Sequence, residues 1–285
     1  MNAPSPLRYP GGKSALSSLL TEIRKLNRLS DRAVAEPFGG GAGAALSLLY
    51  GEHTHELFIN DADESIHDFW WSLLNRLSQF LTMLETAPVT IEEWRRQQAI
   101  YRSQRGVSRL QRGFATFYLN RCNRSGVIMN GGPIGGLEQA GNWKIDARFN
   151  KRTLKSRCQA VGAYRDRIRV SRLDGIKFIS EADATRTFFF IDPPYFEKGP
   201  LLYLNALDEE YHQSLARQLK GMQDLAWVLT YDDCPQIRAM YEGWATIRPF
   251  SLAYAAAERR MGKEVLIAPR WLRLPDRQLS AAIDW

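Results

Sequence analysis

Four consecutive residues, Asp192-Pro193-Pro194-Tyr195, put a carboxylate, a proline carbonyl and an aromatic ring within one turn. They follow Phe188-Phe189-Phe190-Ile191, an apolar run that reads as a buried strand. Prolines carry no backbone N–H, so the chain has to leave the sheet there and present its carbonyls. Two acceptors beside a ring suit an exocyclic amino group on a flat base. The acceptors take its N–H bonds and the ring stacks on its face. The tetrapeptide alone leaves adenine, cytosine and even amide substrates open.

A second constellation precedes it. Ala33-Val34-Ala35-Glu36-Pro37-Phe38 reads as a short strand running into Gly39-Gly40-Gly41-Ala42-Gly43 and then a small-residue helix over Ala44–Tyr50. Such a turn offers close backbone approach to a ligand, and it also serves as a plain strand-to-helix turn. Leu57-Phe58-Ile59-Asn60-Asp61 is a strand ending on an acid, about twenty residues further on, where a carboxylate receives ribose hydroxyls. Asp61 could equally cap the following helix. Together the two features suit an adenosine-bearing ligand. Gly11-Gly12-Lys13-Ser14 suggests a phosphate loop but fails that pattern, because the required glycine position holds Leu7.

The chain has 285 residues, 45% hydrophobic and 24% charged, which fits one large domain or a domain carrying an insertion. It has no apolar run of membrane-spanning length and no signal-peptide pattern at Met1, so a cytoplasmic protein is expected. Cys122, Cys158 and Cys234 are far apart, against a disulfide framework or a zinc site. His53 and His55 have no matching ligand cluster, so no metal is expected. Charge is unevenly placed. From Arg95 to Arg157 there are fourteen Lys and Arg against Glu138 and Asp146, a local +12 in a chain of net +7. A basic segment in a mildly acidic body reads as a polyanion-binding surface, although a solvated basic face has the same composition.

The elements that must position these residues follow from periodicity. Ala15–Leu29 has helical spacing, with Ser14 as a cap. Strand, glycine turn, helix and acid-ending strand open a doubly wound α/β domain. From about Glu64 to Tyr118 the pattern is helical, with Thr90-Ile91-Glu92-Glu93 reading as a capping box. A long Gly- and Asn-rich loop then runs through Asn142, and such loops are often functional. Strand patterns return at 168–170, 187–191, 226–231, 244–247 and 264–268, with a helix over Leu207–Leu219 and a loop over Tyr254–Gly262. The domain expectation is a catalytic domain from 1–62 and 160–285, interrupted by a helical insertion over 63–159.

In order, Tyr9-Pro10-Gly11-Gly12-Lys13, Glu36-Pro37-Phe38-Gly39-Gly40-Gly41-Ala42-Gly43, Asp61 and Asp192-Pro193-Pro194-Tyr195 resemble the Dam-like (D12 class) DNA adenine N6-methyltransferases. The resemblance extends to Asn120-Arg121 and Arg148-Phe149-Asn150-Lys151, and to Tyr231-Asp232 and Lys263-Glu264. Gly40 stands where the family usually has a bulkier residue. The resemblance implies a Rossmann-like methyltransferase core with an inserted helical target-recognition domain. It implies S-adenosylmethionine as methyl donor, held by Tyr9, Lys13, Phe38, Gly39, Gly41, Asp61 and Asp192, without a metal. Asp174 falls where the family often has an acid near the donor's adenine, and it also reads as a turn aspartate.

The implied reaction is transfer of a methyl group to the amino nitrogen of an adenine flipped out of duplex DNA. Asp192 and the Pro193 carbonyl would accept its N–H bonds and Tyr195 would stack on it. Arg121, Arg124, Arg148 and Lys151 are the candidate DNA contacts, as phosphate holders or base readers. Double-stranded DNA is the implied partner, with a cognate restriction enzyme as a second. The alternatives are cytosine-N4 or RNA adenine methylation on the same fold, or a catalytically silent DNA-binding module.

Overall fold

The structure is a computed structural model and describes residues 4–8, 16–103, 105–196, 207–254 and 260–275. Its internal contacts divide the chain into two units. A helical unit comprises Met1–Pro10 and Asp63–Arg172, and an α/β unit comprises Gly11–Ala62 and Leu173–Trp285.

The α/β unit is built on six strands: β1 (Ala33–Glu36), β2 (Leu57–Asn60), β4 (Thr187–Ile191), β5 (Ala226–Asp232), β6 (Ala245–Tyr254) and β7 (Arg260–Pro269). They run in the order β2-β1-β4-β5-β7-β6. The first four are parallel neighbours, and β7 pairs antiparallel with both β5 and β6. Every residue of β4 and β5 is buried, as expected for continuous apolar runs covered on both faces. Trp227, Leu229 and Tyr231 of β5 pack on one side with Leu215, Leu219, Ile237 and Tyr241. These come from helices α9 (Glu209–Gly221) and α10 (Pro235–Tyr241). The chain moves outward from β1 to β2 in one direction and returns to β4 on the other side of β1. That reversal is a topological switch point, where open α/β sheets bind ligands beyond the carboxyl ends of their strands. The glycine turn and Asp192 both leave the sheet at this edge.

Three local expectations change. The loop expected over Tyr254–Gly262 gives up its ends to strand: Tyr254 lies in β6 and Arg260, Met261 and Gly262 lie in β7, paired from Ala245↔Pro269 to Tyr254↔Arg260, while residues 255–259 lie outside the described residues. Pro249 hid this in the sequence, but β6 comes last in the strand order, where a missing N–H is tolerated. Helix α1 spans Ser17–Leu26 with Leu16 at its N-cap position and no side-chain cap bond, whereas Ser14, the expected cap, lies outside the described residues. Thr90 does cap its helix, accepting from Glu93 N at 3.2 Å, but Glu93 does not reach back. Its carboxylate binds Arg96 and Gln97 instead.

The helical unit contains α3 (Glu64–Asn75), α4 (Leu77–Thr86), α5 (Ile91–Arg102), α6 (Arg109–Cys122) and α7 (Lys151–Ala163), then strand β3 (Ile168–Ser171). Phe69, Phe80, Phe114, Phe117 and Phe149 form a buried ring cluster with centroids 5.4–6.1 Å apart. A complete capping box, absent from the expectations, starts α6 at Ser108 and Gln111. The first residues belong here because α6 binds them. Asn120 pairs with Arg8 through both backbone groups at 2.7 Å, and Arg121 Nε donates to Pro6 O at 2.6 Å. No helix among the described residues is long and apolar enough to cross a membrane.

Candidate active site

The glycine turn is shaped by what it lacks. A Cβ on Gly39 would sit 2.5 Å from Ile59 Cγ2 and 3.1 Å from the Asn60 carbonyl. That close approach lets Gly39 N donate to Asn60 O at 2.7 Å, joining the ends of β1 and β2. Gly40 takes a left-handed φ of 44°, and its N–H donates to Asp61 Oδ2 at 2.9 Å. Gly40, the departure from the family pattern, is thus the residue that ties the turn to the acid. The next helix, α2 (Gly43–Tyr50), starts against Glu36, whose Oε1 accepts from Ala45 N at 2.9 Å. Glu36 is wholly buried. Burial pushes its carboxyl up to about 8, and the nearby negative charge of Asp192 adds to the shift while the Ala45 N–H opposes it.

Asn60 is the hidden organiser of this edge. Its amide donates to Pro37 O and Leu173 O and accepts from Leu173 N, each at 2.9 Å. It therefore fixes the entry to helix α8 (Gly175–Glu181) relative to the glycine turn. Asp174 caps α8 through Ile176 N and Lys177 N, and its Oδ2 accepts from the Tyr211 hydroxyl at 2.7 Å. Phe38 packs flush on Gly175, where a Cβ would lie 2.4 Å from its ring, and meets Tyr211 edge-on at 6.4 Å. A buried polar residue just before a strand-ending acid was the available signal for Asn60; nothing in the sequence pointed to Tyr211.

Asp192 follows directly on β4. Pairing of Ile191 with Leu229 brings it level with Thr230 on β5, whose hydroxyl donates to Asp192 Oδ1 at 2.6 Å. Pro193 is buried, while Asp192, Pro194 and Tyr195 are half-buried. The turn ends at Phe196, whose N–H donates to Asp232 Oδ1 at 3.1 Å. The Phe196 ring lies 5.3 Å from His212, and His212 Nδ1 is 2.7 Å from the Tyr231 hydroxyl. Burial lowers the His212 pKa and raises that of Tyr231, so a neutral imidazole meets a neutral phenol beneath the turn.

Phe38, Gly39, Gly41, Asp61 and Asp192 are thus brought to one edge of the α/β unit by the ends of β1, β2 and β4. Tyr9 and Lys13 lie outside the described residues. Among the described residues no group of three or more His, Cys, Asp or Glu could hold a metal ion.

The basic residues of the helical unit separate into two kinds. Arg124 and Arg148 are exposed. Arg121 is buried, and its guanidinium is spent on the carbonyls of Pro6 and Ser5. Its pKa is pushed down to about 9, by burial first and then by the neighbouring Arg157, Arg8 and Arg148. Arg121, expected as a DNA contact, thus directs its donors at Ser5 and Pro6 near the start of the chain. Lys151 is half-buried and donates to Glu85 O and Ala87 O at 2.8 and 2.7 Å, closing the end of α4. The long loop after α6 is tied by side chains. Asn123 donates to Val127 O and accepts from Trp94 Nε1, each at 2.7 Å. Gln139 binds Ile134 O and Ile145 N, each at 2.8 Å.

A search of curated proteins finds no match to this chain. A family model does match, that of the D12 class N6 adenine-specific DNA methyltransferases, over residues 9–261. That span takes in the glycine turn, the helical unit's basic segment and the Asp192 turn. With most of the chain matched and its acceptor turn standing at a topological switch point, the protein belongs to the D12 class N6 adenine-specific DNA methyltransferase family.

Proposed function

We propose that the protein transfers a methyl group from S-adenosylmethionine to the N6 amino group of an adenine flipped out of duplex DNA. The observation that carries this reading is the meeting of two turns at one sheet edge. One carries the glycine backbone and Asp61, and the other carries Asp192 and Pro193. The first set fits an adenosine-bearing group: a carboxylate for ribose hydroxyls, a turn without side chains for close approach, and Phe38 with Asp174 and Tyr211 along one wall. By family resemblance Tyr9 and Lys13 complete it.

S-adenosylmethionine, when bound, supplies an electrophilic methyl group on a positively charged sulfur. The chain's residues prepare the nucleophile. The adenine amino nitrogen is weak because its lone pair is delocalised into the ring. Asp192 and the Pro193 carbonyl accept its two N–H bonds, which favours a pyramidal nitrogen with its lone pair directed at the methyl carbon. Asp192 and the Pro193 carbonyl hold the amino group, which would lose one N6 proton to solvent, while the bound donor would supply the methyl group and keep the C–S electron pair. Positioning and electrostatic stabilisation account for the rate. Tyr195 stacks on the base, whose unstacking costs a few kcal/mol. The exposed Arg124 and Arg148 are the proposed DNA contacts.

The test is incubation of purified protein with labelled donor and duplex DNA, followed by nucleoside analysis. N6-methyladenine is expected, and Asp192→Ala is expected to abolish it while DNA binding survives. N4-methylcytosine alone, or label on RNA alone, overturns the reading.

A further inference from the structure

Strand β5 contributes a group that the motif does not contain. Thr230 is fully buried, and its neighbours along the strand, from Ala226 to Leu229, are all apolar. Its backbone is already engaged in pairing, level with Leu266 of β7, so the hydroxyl is surplus to the sheet. A buried hydroxyl needs a partner, and a valine would fill the same volume without that need. The partner is Asp192 Oδ1 at 2.6 Å, within the short range expected of O–H donation to an ionised carboxylate. Two residues on, and therefore on the same face of β5, Asp232 accepts from Phe196 N at 3.1 Å. One face of one strand thus grips the first residue of the turn, Asp192, and the residue that follows it, Phe196.

We propose that Thr230 is a positioning residue for methyl transfer, orienting the Asp192 carboxylate toward the target amino group, with Asp232 holding the far end of the same turn. The inference rests on the function proposed above. Fixing Oδ1 fixes the plane of the carboxylate and hence the direction in which the second oxygen faces. A carboxylate free to rotate would still bind the base but would meet its N–H bonds in productive geometry less of the time. The cost therefore falls on the transfer step rather than on binding, as for an interaction that matters in the transition state.

The experiment compares Thr230→Val, which keeps the shape and loses the hydroxyl, with Thr230→Ser, which keeps the hydroxyl and loses the methyl. Single-turnover transfer, KM for donor and duplex, and thermal unfolding are measured on the full chain. Thr230→Val is expected to slow transfer about 10- to 100-fold with KM values changed less than about threefold, and Thr230→Ser to stay within about threefold of wild type. Valine at the wild-type rate overturns the proposal. So do equal losses in valine and serine, which would mark a packing role, or losses confined to KM. If the valine variant does not fold, Thr230→Ala takes its place under the same criteria. Wild-type protein that transfers no methyl group to DNA overturns the proposed function itself, and this inference with it.

Discussion

The two units earn their functional residues in different ways. In the α/β unit three candidates are held by named partners: Gly39 by Asn60, Asp61 by Gly40, Asp192 by Thr230. In the helical unit the candidates share only a charge, and their partners divide them. Arg121 is buried on backbone carbonyls and Lys151 closes a helix end, whereas Arg124 and Arg148 stand in solvent. A motif encodes geometry because several groups must meet at one place. A charge excess encodes only a sum, and some of its members serve the fold.

That division can be broken by substitution. The largest stability effect is expected at Arg121. Replacement by Ala strips the buried carbonyls of Pro6 and Ser5 of their donor and should cost about 3–5 kcal/mol, read as a fall in the denaturation midpoint. A loss below about 1 kcal/mol, with DNA affinity reduced, would return Arg121 to the DNA-contact class. An intermediate effect is expected at Glu36. Its carboxyl titrates near 8 in the fold against an ordinary 4.5, so between those values the folded protein holds a proton that the unfolded chain has released. Stability from this group therefore declines as pH rises from about 4.5 to 8. Glu36→Gln removes that slope and should leave the protein more stable than wild type at pH 8–9, by about 2–4 kcal/mol, with little difference near pH 5. Denaturation series at both pH values check it, and parallel pH dependences would refute it. The smallest stability effect is expected at Arg124: Arg124→Ala should stay within about 0.5 kcal/mol of wild type while lowering the salt slope of DNA binding by about one. An unchanged slope would place Arg124 outside the interface.

Much of the α/β unit was legible because its signals are local. A run such as Phe188–Ile191 can hardly be anything but a buried strand, and a glycine cluster after a strand can hardly be anything but a turn. The site's supports were not legible. Thr230 and Asp192 are 38 residues apart and meet only because β4 and β5 are parallel neighbours in one register. Asn60 and Leu173 are 113 apart and meet at the end of β2, where the chain re-enters the α/β unit. The capping box read at Thr90 failed because Glu93 had better partners in Arg96 and Gln97, while the real one at Ser108 used a glutamine.

By itself the amino-acid sequence determined which groups are present and the short-range order among them: acceptors and a ring at 192–195, a glycine turn at 39–43, an acid at 61, a basic segment between. Those follow from covalent geometry and from apolar periodicity, which act over a few residues. The tertiary structure alone decided which charges are solvated, which way a carboxylate faces and which strand lends it a hydroxyl. Burial and hydrogen-bond pairing depend on neighbours brought together by strand order, and strand order is a property of the whole folded chain.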